Sequence, residues 1–129
     1  MKPIQILKNN SVITDKCFEA NYLGRLKGLL GVKKLEEGGG LLLPGTNSVH
    51  MWGMSISLDI VFIRRLDRTG KRFRITSIYP GVKPWKILPL WDLGSTDVLE
   101  FSVGFIRQTN LGVGDEIHVS TKGALSAEK

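Results

Sequence analysis

A chain of 129 residues, 42% hydrophobic and 23% charged, has the size and composition of one folded domain, residues 1–129, and excludes a disordered tail, a collagen and a coiled coil. Cys17 alone makes no internal disulfide framework, and with His50 and His118 it leaves too few soft donors for a four-ligand zinc site, so no metal and no cofactor are expected. No run reaches the roughly 18 apolar residues of a membrane-spanning helix, and Met1 to Asn10 lacks the long apolar stretch of an export signal; a soluble, cytoplasmic and by default monomeric chain is expected.

Taken in chain order, Ile4 to Thr14 has short apolar runs broken by Lys8, Asn9 and Asn10, which predicts a strand, a turn and a second strand. Asn21 is placed to cap a helix over Tyr22 to Leu30, whose Tyr22, Leu23, Leu26, Leu29 and Leu30 share one face, and Gly31 ends it. Gly24 and Gly28 each weaken such a helix by roughly 1 kcal/mol against alanine, so it needs a sheet to pack on, with Gly28 at a close contact. Gly38 to Gly40 reads as a loop and Leu41 to Leu43 as a short buried strand. From Met54 to Phe62 the residues Met54, Ile56, Leu58, Ile60 and Phe62 alternate with Ser55, Ser57 and Asp59, the period-2 pattern of a half-buried strand with its even-numbered side chains toward the core. Phe73 to Tyr79 pairs with it, and Pro80 to Leu93, with three prolines and two tryptophans, reads as an irregular covering loop. Val98 to Phe101 resumes strand, Gly104 to Leu111 gives one or two helical turns, and Glu116 to Ser120 closes the sheet before a frayed tail over 121–129. The sum is an α+β domain, β-rich, with a curled or barrel-like, mostly antiparallel sheet and one or two short helices.

The formal charge of +6 is concentrated in one place. Arg64, Arg65, Arg68, Lys71, Arg72 and Arg74 face a single Asp67 across the turn of a predicted hairpin, Asp67 to Gly70. Such a basic ribbon suits an anionic partner, nucleic acid among them. Its tip carries no aromatic for base stacking, however, and a solvated hairpin whose arginines discourage edge aggregation is the simpler account.

The succession Arg25 with Gly28-Leu29-Leu30, Gly40-Leu41-Leu42, Val49-His50-Met51-Trp52-Gly53-Met54, Leu58-Asp59-Ile60-Val61-Phe62, Val98-Leu99-Glu100 and Gly114-Asp115 resembles the domain of unknown function 192 family. The resemblance spans about residues 20–119 and implies a compact, β-rich α+β fold, as in that family's bacterial and archaeal members. Val49 to Met54 is similar to the family's His-Thr-Phe-Gly-Met version of its central motif, with Thr46 where that version often has a cysteine.

His50, Asp59 and Glu100 are the ionisable residues carried by these motifs and the first candidates for acid or base catalysis. The simpler expectation is that Asp59 caps backbone amides or pairs with Arg25 while Glu100 faces solvent on the opposite pleat. Ser48, Ser55 and Ser57 lack the turn of a hydrolase nucleophile, and Gly38 to Gly40 lacks the residues of a phosphate loop. Trp52, Trp85 and Trp91, with Tyr79 and Met54, either line an apolar groove with His50 at its rim or complete the core. The favoured reading is a non-enzymatic module that binds a small molecule or a protein through His50, Trp52, Met54, Trp85 and Trp91. The alternatives are a small hydrolase or transferase using His50 with Asp59, and electrostatic nucleic-acid binding through residues 64–74.

Overall fold

The computed structural model describes residues 1–21, 29 and 31–121. Seven strands, β1 (Lys2–Lys8), β2 (Ser11–Glu19), β3 (Gly39–Leu43), β5 (Leu58–Arg65), β6 (Arg72–Val82), β8 (Asp97–Ser102) and β9 (Glu116–Thr121), close into a barrel in the order β1-β2-β3-β8-β5-β6-β9. All neighbours are antiparallel except β2 and β3, which run parallel and are joined by the long connection that includes residues 20–38. Two further strands, β4 (Ser48–Val49) and β7 (Leu90–Trp91), pair as a small ribbon outside the barrel, and one short helix, α1 (Phe105–Thr109), follows β8. The sequence reading of a β-rich, barrel-like fold is met. No helix among the described residues is long and apolar enough to cross a membrane.

Side-chain alternation divides the apolar residues into two cores. Ile4 and Ile6, Cys17, Leu42, Leu99 and Phe101, Val61 and Ile63, Phe73 and Ile75, Ile117 and Val119 fill the barrel, each strand contributing. Phe105 of α1 stacks on Phe101 with ring centroids 4.0 Å apart, and Ile106 and Leu111 join the same cluster. A second core lies on the outer face of β3, β8 and β5, where Leu41, Leu43, Val98, Leu58, Ile60 and Phe62 are covered by Val49, Met51, Met54, Ile56, Leu35 and Leu29. Each fully buried Leu, Ile or Phe contributes about 1.5–3 kcal/mol, so sealing this outer face matters as much as filling the barrel.

The double burial corrects the half-buried reading of the strongest strand. It begins at Leu58, not Met54, and is buried from Leu58 through Ile63 because its odd-numbered side chains enter the barrel and its even-numbered ones enter the outer core. Met54 and Ile56 lie before the strand and fold over it. The helix expected over Tyr22 to Leu30, with Gly24, Arg25 and Gly28, lies outside the described residues except for Leu29, which packs on the outer core.

The glycine triplet is also corrected. Gly38 turns the chain at φ 79°, but Gly39 and Gly40 are buried within β3 rather than in a loop. A Cβ on Gly40 would stand 2.6 Å from the Glu100 carbonyl oxygen and 2.7 Å from the Phe101 ring, so close approach of β8 selects glycine there.

Candidate functional site

Asp59 is 1% exposed and sits on the barrel side of β5, at a break in its pairing with β6. Ile60 opposes Tyr79 and Leu58 opposes Val82, which leaves Pro80 and Gly81 facing Asp59 alone, a β-bulge with Gly81 at φ 63°. The bulge turns the Gly81 N–H onto Asp59 Oδ1 at 2.8 Å, and the Ile106 N–H of α1 donates to Oδ2 at 3.0 Å. Asp59 therefore ties the end of β6 to the start of α1, the amide-capping role expected as the simpler of its two readings; the proposed partner Arg25 lies outside the described residues.

Glu100 occupies β8 between Leu41 of β3 and Ile60 of β5. It shares its face with Val98, on the side opposite Asp59, but that face is the outer core and the residue is only 4% exposed. The expectation that it meets solvent is wrong, because Leu29, Leu35, Met54 and Ile56 pack over the outer sheet. The Leu29 N–H supports the carboxylate, yet Oε1 has no hydrogen-bond partner among the described residues, and burial pushes the group up to about 7.

His50 is exposed and packs against Trp52, ring centroids 5.1 Å apart and planes tilted by 34°. Among the described residues no hydrogen bond or ion pair joins His50 to Asp59 or Glu100, and both Asp59 oxygens already accept main-chain donors. The exposed imidazole thus has Trp52 as its ring neighbour and, among the described residues, no hydrogen bond to an orienting acid of the kind general-base chemistry uses.

The tryptophans are not core residues. Trp52, Trp85 and Trp91 are 58%, 74% and 59% exposed, and Ile87, Leu88 and Leu93 beside them are exposed as well. Trp52 and the β4–β7 ribbon that carries Trp91 are held in place by polar contacts. Trp52 Nε1–H donates to the Ile87 carbonyl at 2.6 Å, β4 pairs with β7 through Ser48 with Trp91 and Val49 with Leu90, and the Asp92 N–H donates to the Asn47 carbonyl. The Ser77 hydroxyl donates to Asp92 Oδ2 at 2.5 Å, which fastens the ribbon to β6 and holds the Asp92 carboxyl below its ordinary range. Met54 is half-buried under this layer, and Leu90 and Tyr79 pack onto the outer core. Between the ribbon and β6 lies an open cleft of about 520 Å³ lined by Ile78 to Lys83, Trp85, Lys86 and Leu90. Of the residues expected to line a groove, Tyr79 and Trp85 line this cleft while His50, Trp52, Met54 and Trp91 do not, and Lys83, Lys86 and Leu90 line it without having been named. Pro80 inside a strand was the available signal, since proline marks a strand edge.

The basic hairpin has the expected turn: Asp67 Oδ1 accepts from Thr69 Oγ1, the Gly70 N–H and the Lys71 N–H. Its cations are less free than their count suggests. Arg65 Nη2 reaches both oxygens of buried Asp97 at 3.1 Å, Arg72 makes two contacts to Glu116, and Arg74 contacts Glu116 and the Gly114 carbonyl. Arg64, Arg68 and Lys71 make no ion pair among the described residues. Cys17 lies in the barrel core, where burial pushes its thiol up to about 12 and leaves it inert near neutral pH. No group of three or more His, Cys, Asp and Glu side chains among the described residues could hold a metal ion.

Comparison with known proteins agrees with this architecture. The chain is similar to the crystal structure of a protein of unknown function from Novosphingobium aromaticivorans, at 24% identity and a TM-score of 0.70 over 89% of this chain and 82% of that one. It is similar also to that of a candidate transcription regulator from Sinorhizobium meliloti, at 16% identity and a TM-score of 0.70 over 95% of this chain and 94% of that one. At these identities the likeness is one of fold. No curated protein matches. A family model, DUF192, described as Uncharacterized ACR, matches residues 14–119, from the second barrel strand to the last, and so takes in the Asp59 bulge, the Glu100 face and the tryptophan ribbon together. The chain belongs to the DUF192 family.

Proposed function

We propose that this protein is a non-enzymatic binding module whose contact surface is the tryptophan ribbon, with Trp52, Trp85 and Trp91 as anchors and His50 and Met54 at the margin. One observation carries the reading: of eleven large apolar side chains exposed among the described residues, six fall at Trp52 and between Trp85 and Leu93. A contiguous exposed apolar patch on a folded domain marks an interaction surface, and tryptophan is the residue most enriched among binding anchors. The hydrogen bonds under the ribbon support the same reading, since rigid aromatics lose little entropy on binding. That no hydrogen bond or ion pair joins His50 to Asp59 or Glu100 among the described residues disfavours the hydrolase or transferase alternative, and the pairing of Arg65, Arg72 and Arg74 disfavours nucleic-acid binding by residues 64–74.

The test is native mass spectrometry of species co-purifying with the protein from its cell extract, with Trp85→Ser/Trp91→Ser and Arg68→Ala/Lys71→Ala compared at matched melting temperature. A species that falls at least tenfold in the tryptophan variant and not in the hairpin variant is expected. Equal recovery from all three proteins would remove the ribbon from the mechanism.

A further inference from the structure

The cleft beside the ribbon has an unusual lining for a surface pocket: five consecutive residues of one strand, Ile78, Tyr79, Pro80, Gly81 and Val82. Side chains of a strand alternate between two faces, so a groove on one face touches every second residue, and one that touches all five runs along the strand's edge. The pairing agrees. β6 meets β5 along one side as far as Val82, but on its other side it meets β9 only from Arg72 to Arg74, with Ile75 bonded to the Gly114 and Asp115 backbone. Beyond that point no strand among the described residues pairs with its outer side. Every second residue of an antiparallel strand turns its N–H and C=O away from its partner, and on β6 beyond Ile75 that side has no partner strand among the described residues.

The geometry points to the β6 edge from Ile78 to Val82 as a docking site for an extended, acidic segment of a partner protein, which adds to the barrel as a short strand and lays alternate side chains on Tyr79, Trp85 and Leu90. The charge selects the partner: Lys83 and Lys86 line the cleft and no carboxylate does. Strand addition takes its affinity from main-chain hydrogen bonds and its specificity from pockets for alternate side chains. Pro80 lacks an N–H and the Gly81 N–H is already given to Asp59, so the added ladder is short and the aromatic and lysine contacts supply the rest. This inference rests on the ribbon being a binding surface and names what it binds.

The test is selection from a display library of random nine-residue peptides on the intact protein, followed by titration of the enriched peptide monitored by tryptophan fluorescence. Enriched peptides with Asp or Glu among alternating apolar residues are expected. Their binding should fall at least tenfold for Lys83→Glu/Lys86→Glu and for Trp85→Ser, and at least tenfold when alternate peptide nitrogens are methylated. Binding that needs Trp85 yet ignores backbone methylation would overturn strand addition and leave the ribbon reading standing. Enrichment of neutral or basic peptides, or no enrichment by a protein with native melting behaviour, would overturn the inference too, and the co-purification measurement would then decide the ribbon separately. Self-association without peptide, abolished by Trp85→Ser, would assign the edge to a second copy of this chain instead.

Discussion

Two carboxylates one register step apart in adjacent strands are buried to nearly the same degree, and they behave in opposite ways. Asp59 opposes Phe101 and Glu100 opposes Ile60, so the side chains point to opposite sides of one sheet. Asp59 meets two main-chain N–H groups offered by a bulge and a helix start; Glu100 meets an apolar roof and keeps one oxygen unpartnered. Burial alone therefore says little about a carboxylate's role. The donors within reach decide whether it braces the fold or burdens it.

The largest effect should come from removing the braced carboxylate. Asp59→Ala leaves two N–H groups without their acceptor, each worth about 1–3 kcal/mol, so urea unfolding should register a loss of about 4 kcal/mol. A loss under 1 kcal/mol would mean that water replaces the carboxylate and that the contrast with Glu100 is false.

The next effect is on pH. Glu100 is raised from 4.5 to about 7, so the folded chain holds its proton more tightly than the unfolded one. Between those values the native state binds more protons, and stability falls as pH rises through the window by an amount on the order of 3 kcal/mol, levelling above pH 7. Glu100→Gln should flatten this slope and be more stable than the parent at pH 8. A parent stability that rises from pH 4.5 to pH 7, with the slope unchanged in the variant, would show that Glu100 is better solvated than its position implies.

Smaller still, Gly81→Ala forces an L side chain into a left-handed conformation at φ 63° although the space beside it is open, at about 1–2 kcal/mol. Because Gly81 aims its N–H at Asp59, that loss should shrink in the Asp59→Ala background, and a double-mutant cycle measures the coupling. Smallest, Trp85→Ser should change stability by less than about 0.5 kcal/mol while altering binding, since its ring lies mostly in solvent.

Much of the barrel was legible in local pattern. The break at Lys8 to Asn10, the Asp67 to Gly70 turn and the alternation at Leu58 to Phe62 each follow from rules that operate over a few residues. The site was legible only in its parts. Asp59 was singled out and its amide-capping role anticipated, but nothing local predicts that Pro80 and Gly81, over twenty residues away, supply the bulge. Glu100 was assigned to solvent because alternation tells which residues share a face and not what covers that face. Trp85 and Trp91 read more simply as core residues and are exposed instead, since an aromatic's burial depends on whether other elements lie above it.

By itself the amino-acid sequence determined the strand content, the hairpin turn, the membership in one family and the concentration of charge at Arg64 to Arg74, because propensity, turn chemistry and charge count are local or additive properties. Tertiary structure alone decided that β5 is covered on both faces, that Asp59 meets two main-chain donors while one Glu100 oxygen meets none among the described residues, that three of the five hairpin arginines are paired, and that β6 outruns β9 with no strand among the described residues on its outer side beyond that point. Each of these depends on which distant segment arrives opposite, and that is set by barrel closure and register, not by any stretch of residues read in isolation.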